Sequence, residues 1–143
     1  MPTRAAAHHY SLNTKNVTLT PKPRSKTRCK VKTAPDPVKA KRFTTVVRWK
    51  CATAHLAVFF NYAEGTPFST DFFSAPAGSW ASAGVPIQPV GVYRYTVYLF
   101  PVGGGPMLKC DPQVVVWDER GGSSSDTPPP SAKGRKDPAM AIR

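Results

Sequence analysis

The fold is decided by residues 89–119, PVGVYRYTVYLFPVGGGPMLKCDPQVVVWDE. Aromatic and β-branched side chains alternate with polar ones over residues 93–99, which is the period-two pattern of a half-buried strand. Pro101 cannot donate to a strand ladder, and the glycines at 103–105 supply the backbone freedom that a reversing loop needs. The run of valines at 114–116 is apolar on both faces and predicts a returning strand in an interior position. We therefore predict a long β-hairpin here.

Shorter strands are predicted upstream of this hairpin. Residues 26–33 (KTRCKVKT) alternate between inward Cys29 and Val31 and outward basic side chains, and residues 38–41 form a short strand. Residues 44–51 (TTVVRWKC) form a further predicted strand, with Val47 and Trp49 facing inward, and residues 55–60 (HLAVFF) form another apolar strand. A long irregular crossing over 61–89 follows. Sixteen prolines, ten glycines and the lack of a helical period argue against a helical protein. The predicted fold class is all-β, in the form of a single sandwich.

Basic residues are concentrated at the two ends of the chain. Residues 1–42 hold eleven Lys or Arg and one acid, whereas residues 43–119 hold four and five. We predict a basic flexible arm over 1–24, in which a short edge strand near residues 16–20 is an alternative, and a sandwich domain over 25–120. Residues 121–143, rich in Gly, Ser, Pro and Lys, predict a disordered tail because they cannot bury enough apolar surface to offset the entropy of ordering.

The hydropathy pattern gives no sign of a membrane span or a secretion signal. No run approaches the roughly 20 apolar residues that a spanning helix needs. The N-terminal residues MPTRAAAHHYSLNTK lack the apolar core of a signal peptide. A cytoplasmic location is therefore the default expectation.

The order of these motifs resembles a known fold family. A Pro-Asp-Pro turn at 35–37, Val-x-Trp at 47–49, His-x-x-Val-x-Phe at 55–60, Gly-x-Tyr-x-Tyr at 91–95 and Asp-Pro-x-Val-Val-Val at 111–116 follow one another. This order resembles the cupredoxin-like β-sandwich, and in particular small bacterial proteins of that shape that have no assigned role. The resemblance covers residues 26–119 and implies an antiparallel Greek-key sandwich.

The same resemblance allows a copper site to be tested. Blue copper needs two imidazoles, a thiolate and a weak axial thioether, because soft sulfur and imidazole nitrogen suit copper. The resemblance implies that the first histidine is His55, that Val97 stands where the cysteine would be, and that Phe100 stands where the second histidine would be. Met107 is the candidate axial ligand. Since two strong ligands are missing, we expect no metal and no cofactor, with His55, Cys110 and Met107 as weak metal candidates.

The three cysteines leave two further alternatives open. Cys29, Cys51 and Cys110 show no Cys-x-x-Cys spacing, so they would form a three-sulfur, one-nitrogen site with His55 only if the fold brought them together. Cys29 and Cys51 lie at inward strand positions, where a cysteine acts as a small apolar residue. A disulfide between two of the three stays open for an exported protein.

No catalytic motif is present, so we predict a non-enzymatic binding or structural module. The chain has no Gly-x-Ser-x-Gly motif and no phosphate loop, and its acids are scattered. The candidate contact surface for a protein partner comprises aromatic residues of the 61–89 crossing: Phe68, Phe72, Phe73 and Trp80. The alternative is a small basic nucleic-acid-associated protein, of the viral coat or packaging type, whose N-terminal arm neutralises phosphates. Its candidate phosphate contacts are Lys22, Arg24, Lys26, Arg28, Lys30 and Lys32.

Overall fold

The computed structural model of the protein describes residues 12–119. Its strands are β1 (Asn13–Pro21), β2 (Val31–Ala34), β3 (Val38–Lys41), β4 (Thr45–Lys50), β5 (Ala54–Phe59), β6 (Phe72–Ala75), β7 (Ala81–Gly84), β8 (Gly91–Arg94), β9 (Thr96–Pro101), β10 (Leu108–Cys110) and β11 (Gln113–Trp117). The predicted all-β class is confirmed over this range. Within it, no helix has the length and apolar character needed to cross a membrane.

The strands form three sheets around one core. Sheet A has the order β2-β1-β4-β7, sheet B the order β3-β11-β8, and sheet C the order β10-β9-β5-β6. Most neighbouring strands are antiparallel, but β1 pairs with β4 in parallel and β3 pairs with β11 in parallel. A tight turn joins only antiparallel strands, so the strands of each parallel pair are joined by a longer crossover connection that contains other strands.

The core is organised around a fully buried tryptophan on β4. The indole of Trp49 has the rings of Phe60, Phe68, Phe73 and Tyr95 around it, with centroid separations from 5.5 to 6.4 Å. Its Nε1–H donates to the hydroxyl of Tyr95 at 3.0 Å, which satisfies the one polar atom of the indole. The prediction that Trp49 faces inward is confirmed.

Two buried phenols have perturbed acidity. Burial raises the pKa of Tyr95 well above its ordinary value, and the charge of Asp36 adds to this, although the hydrogen bond from Trp49 partly opposes it. Burial also raises the pKa of Tyr93, with the nearby charge of Arg42 acting in the opposite direction. Both side chains are therefore held in the neutral form well into the alkaline range.

The hairpin predicted over residues 89–119 forms, but it is bent across two sheets. Its outer half, β8 with β11, belongs to sheet B, and its inner half, β9 with β10, belongs to sheet C. At the bend, the Tyr95 N–H donates to the carbonyl of Pro112 at 3.1 Å. Gly104 and Gly105, with φ of +96° and +110°, occupy the reversing loop as predicted. The chain passes from sheet B to sheet C at Tyr95, so the alternation of buried and exposed residues ends there. Thr96 is therefore buried as well as Tyr95.

The basic arm predicted over residues 1–24 needs correction. Residues 1–11 lie outside the described range, but β1 is an interior strand, with β2 on one side and β4 on the other. Val17 and Leu19 of β1 are buried, and these apolar contacts hold the strand in the core despite the basic residues around it. The tail predicted over 121–143 also lies outside the described residues.

Two other boundaries differ from the prediction. The strand predicted over 26–33 is replaced by a loop over residues 22–30 followed by β2, and the crossing predicted over 61–89 contains β6 and β7. Both of these strands are only four residues long and alternate small or aromatic residues with exposed positions. β6 pairs with β5 and β7 pairs with β4, and this pairing stabilises them as strands. A pattern of four residues is too short to predict a strand alone.

A disulfide fastens sheet A to sheet C. Cys29, at the end of the 22–30 loop, is bonded to Cys110 of β10, and the two cysteines are 81 positions apart in sequence. Beside it, the Lys30 N–H donates to the Lys109 carbonyl at 3.0 Å. The third cysteine, Cys51, is a free, buried thiol. The disulfide that the sequence left open is therefore formed between the first and the last cysteine.

Candidate binding surfaces

An apolar groove of about 640 Å³ lies on the outer face of sheet C. The side chains that line it include His55, Phe72, Tyr98, Phe100 and Met107. Phe72 is 50% exposed, Phe100 is 44% exposed and Met107 is 47% exposed. The large apolar side chains of this face are therefore accessible to a ligand instead of being covered by the rest of the domain.

Strand register explains how these residues meet. In the β5–β9 ladder, His55 is opposite Phe100 and Ala57 is opposite Tyr98. Because side chains alternate across a strand, these four residues share the face opposite the core-facing Leu56. The outward positions of a solvated sheet normally carry polar residues, so an apolar set on two adjacent central strands points to a contact surface.

The imidazole of His55 presents a hydrogen-bond donor at this groove. The Ala77 N–H donates to Nδ1 of His55 at 3.1 Å, so Nδ1 must be the unprotonated nitrogen of the neutral ring. The proton is then on Nε2, the nitrogen that Ala77 leaves free. Neutral His55 therefore offers an N–H group, and not a basic lone pair, to a bound molecule.

The candidate copper positions do not converge. His55 and Phe100 face outward into the groove, whereas Val97 is fully buried in the core and is paired with Cys110 on the neighbouring strand. A thiolate at position 97 would thus be on the opposite face of sheet C from His55. Met107 lines the groove, but the sulfur of Cys110 is committed to the disulfide and supplies no thiolate. No cluster of three or more potential metal ligands occurs among residues 12–119.

The predicted aromatic contact surface divides into core and surface members. Phe68 and Phe73 are buried against Trp49, so they are excluded from a surface role, because their rings complete the core. Phe72 points the other way along β6 and lines the groove. Trp80, half-buried before β7, lies on the outer face of sheet A.

The predicted phosphate contacts lie on folded structure. We name residues 22–30 the basic loop; Lys22, Arg24, Lys26 and Arg28 are exposed on it and Lys30 is half-buried. The loop is closed by a hydrogen bond from the Lys22 N–H to the Lys30 carbonyl at 2.8 Å, and the Lys30 ammonium donates to the Ser25 carbonyl. Lys32 follows as an exposed residue of β2. These six cations are thus arranged by a hairpin and a disulfide, and they do not belong to a separate arm.

The groove contains residues that the sequence reading did not select. The sequence predicts Tyr98 and Ala57 only as strand residues, although the unbroken apolar run of residues 56–60 indicates that both faces of β5 are covered or in contact with something. That signal does not say which face is the outer one, since this depends on the partner strands.

No protein-family model matches this chain, and no curated protein is significantly similar to it. Function must therefore be inferred from the chemistry of these surfaces.

Proposed function

We propose that the protein is a non-enzymatic binding module that takes an apolar ligand in the groove on the outer face of sheet C. The observation that carries this proposal is the exposure of Phe72, Phe100 and Met107 together in one concave site. Water contact with large apolar side chains is unfavourable by about 25 cal/mol per Å² of apolar surface, so an occupant of the groove gains that free energy on binding. Contiguous exposed patches of this kind are typical of interaction sites.

The lining of the groove defines the ligand class. A volume of about 640 Å³ is that of a typical small-molecule site. Phenylalanine rings and a flexible methionine suit an aromatic ring or an aliphatic chain. The Nε2–H of His55 requires one hydrogen-bond acceptor on the ligand. The ligand is thus an apolar body that carries a carbonyl or carboxylate.

The hydrogen bonding of His55 supports a binding role over catalysis. Ser74 also lines the groove, which places a hydroxyl and an imidazole in one site. In a serine nucleophile pair, however, the imidazole nitrogen that faces the hydroxyl must accept its proton, while the other nitrogen donates to an orienting carboxylate. Here the orienting hydrogen bond is reversed, because Nδ1 accepts from Ala77. The free Nε2 of the neutral ring therefore carries a proton and is not a general base.

We also propose that the domain is a cupredoxin-like sandwich without a copper site. The order of motifs along residues 26–119 supports this assignment. The buried position of Val97 supports the lack of copper.

The test is binding of N-phenyl-1-naphthylamine, a neutral apolar dye whose emission increases in apolar surroundings. Neutrality matters because an anionic dye would also associate with the basic loop. We expect saturable binding at one site per chain, weakened about tenfold by Phe100→Ser, because that substitution removes one wall of the groove. The matched control is Val92→Ser, which removes an exposed apolar residue of β8 in sheet B.

The proposal fails if the dye does not bind, or if Phe100→Ser and Val92→Ser have the same effect on its dissociation constant. Circular dichroism of each variant establishes that the fold is retained, which is expected because both residues are exposed.

A further inference from the structure

We propose that the outer face of sheet A, together with the basic loop, binds single-stranded nucleic acid. Residues 12–35 contain seven Lys or Arg and no acid. The described residues 12–119 as a whole hold fourteen basic and six acidic residues, a net charge of +8. The positive charge therefore belongs to the folded domain, where strands and a disulfide fix its position.

The cations of sheet A share one outward face. Arg48 on β4 is opposite Asn16 of β1, and Lys50 is opposite Thr18. Lys32 on β2 is opposite Thr20, on the same outward side of the neighbouring ladder. Because β1 and β4 are parallel, Lys50 lies at the end of the sheet where β1 enters the basic loop. The face and the loop thus form one continuous basic surface.

This surface also contains an aromatic platform. The Arg48 guanidinium lies 4.2 Å from the centre of the Trp80 ring, and the Lys50 ammonium lies 5.0 Å from it. Arg48 is held in place by two hydrogen bonds to the Asn16 side-chain oxygen, of 3.0 and 2.9 Å. A guanidinium that lies over an indole provides a surface on which a nucleobase can stack, and the Lys50 ammonium over the same ring is available for an adjoining phosphate.

Several acids of the domain are engaged elsewhere. Glu64 pairs with Arg94 at 3.0 Å and Glu119 pairs with Lys41 at 3.2 Å. The first acid after the basic segment is Asp36, whose carboxylate accepts the Gln113 N–H of β11, in sheet B. Arg94 and Lys41 therefore balance the charges of Glu64 and Glu119, and these two carboxylates do not cancel the positive potential over sheet A.

The shape and composition of the surface favour a single strand over a duplex or a membrane. A flat sheet face does not enter the major groove of B-DNA, whereas flat sheets with exposed aromatic residues are used to stack unpaired bases. Membrane attachment by a basic surface is strengthened by apolar side chains that insert among the lipids. The basic loop has no aliphatic or aromatic residue apart from Pro23.

The experiment measures binding of the full chain to a fluorescently labelled oligothymidylate of about 20 nucleotides, as a function of salt. For single strands the slope of log K against log salt is about −0.7 per phosphate neutralised, so Arg24→Gln/Arg28→Gln should make it less steep by about 1.4. The control, Lys39→Gln/Arg94→Gln, removes the same charge from exposed positions of β3 and β8 in sheet B and should change the slope by less than half as much.

The aromatic platform is tested separately. Trp80→Ala should weaken oligothymidylate binding about tenfold, because stacking of one base is lost. Trp117→Ala removes a tryptophan that is 41% exposed on β11 and should have little effect. Trp80→Phe keeps a stacking ring and should restore most of the affinity lost in Trp80→Ala.

Three results with nucleic acid would overturn the proposal. These are no retention of the oligonucleotide at low salt, a slope that responds equally to the two double variants, or binding of a duplex of equal length that is as tight as that of the single strand and insensitive to Trp80→Ala. Tighter binding to vesicles of phosphatidylserine and phosphatidylcholine than to oligothymidylate would also refute it. The dye binds the groove on sheet C, whereas the oligonucleotide is expected to bind sheet A. A negative oligonucleotide result therefore does not contradict the proposed binding of an apolar ligand.

Discussion

The buried hydrogen bond between Trp49 and Tyr95 should contribute strongly to the free energy of unfolding. Tyr95→Phe deletes one oxygen from the core and leaves the Trp49 Nε1–H, which now donates to it at 3.0 Å, without an acceptor. Trp49 and Tyr95 are both fully buried, so water does not replace the lost partner. A buried donor left unsatisfied costs about 1–3 kcal/mol.

The change should be measured by urea denaturation, followed by tryptophan emission and by circular dichroism. We expect the free energy of unfolding of Tyr95→Phe to fall by about 2 kcal/mol with an unchanged dependence on urea. At about 4–8 °C per kcal/mol for a domain near 100 residues, the melting temperature should fall by about 8–16 °C. The control is Tyr98→Phe, which removes a hydroxyl from a half-buried ring in the groove and should cost less than about 0.5 kcal/mol.

A double-mutant cycle separates this hydrogen bond from ring packing. Trp49→Phe also creates a cavity, but once the indole is gone the hydroxyl of Tyr95 has lost its donor, so the two losses should not add. We expect a coupling free energy of about 1 kcal/mol between the two substitutions. A coupling near zero, or a Tyr95→Phe variant as stable as the parent protein, would refute the reasoning.

Three other predictions concern acidity, the disulfide and the imidazole. Because burial holds the pKa of Tyr95 above the ordinary 10.0 while the unfolded chain titrates normally, stability from this group is fully present below about pH 10. It should decline above that pH by up to about 1.4 kcal/mol per pH unit, and an alkaline urea series that stays flat would contradict this. Replacing Cys29 and Cys110 together by serine should lower the free energy of unfolding by about 2–4 kcal/mol, and a dithiol reductant should have the same effect on the parent protein only. Long-range ¹H–¹⁵N spectra at about pH 8.5, where an ordinary imidazole is neutral, should show the proton of His55 on Nε2. A proton on Nδ1 would refute the assignment of Nε2–H as the hydrogen-bond donor at the groove.

Sequence periodicity predicted the strands that have one strongly apolar face. The segment around Trp49 and the valines at 114–116 carry enough alternating or continuous apolar character to identify β4 and β11. The sequence predicts β1 as part of an arm, because only Val17 and Leu19 distinguish it from its polar surroundings. Its stability comes from pairing with two neighbours, one of them about 30 residues away along the chain, and no local pattern reports such pairing.

The candidate surfaces were only partly predictable for the same reason. The cations of the basic loop are visible in the sequence, but the sequence cannot show that a disulfide and a hairpin hold them at the same end of sheet A as Lys50. The division of the aromatic residues between core and surface depends on which face of β6 meets the core, because Phe72 and Phe73 are adjacent and point in opposite directions.

The disulfide also bears on where the protein works. A cytoplasmic location was predicted from the N-terminal residues and remains a prediction. Disulfides form and persist mainly in oxidising compartments, so the Cys29–Cys110 bond argues for an environment outside the reducing cytoplasm. The dye and oligonucleotide experiments should accordingly be carried out without reductant.

The parallel pairing of β3 with β11 has a consequence for folding during synthesis. β3 is synthesised early, but its partner β11 ends at Trp117. Sheet B therefore lacks its central strand until nearly all of the described domain has left the ribosome. Pairing of β3 with β11 closes a long loop. It forms more slowly than local contacts, because the chain loses the conformational entropy of that loop before the strand pairing compensates for it. Val38 and Ala40, buried in the finished protein, therefore stay exposed in the nascent chain until the last strand arrives, and this interval is when the protein is most open to aggregation or to capture by a chaperone.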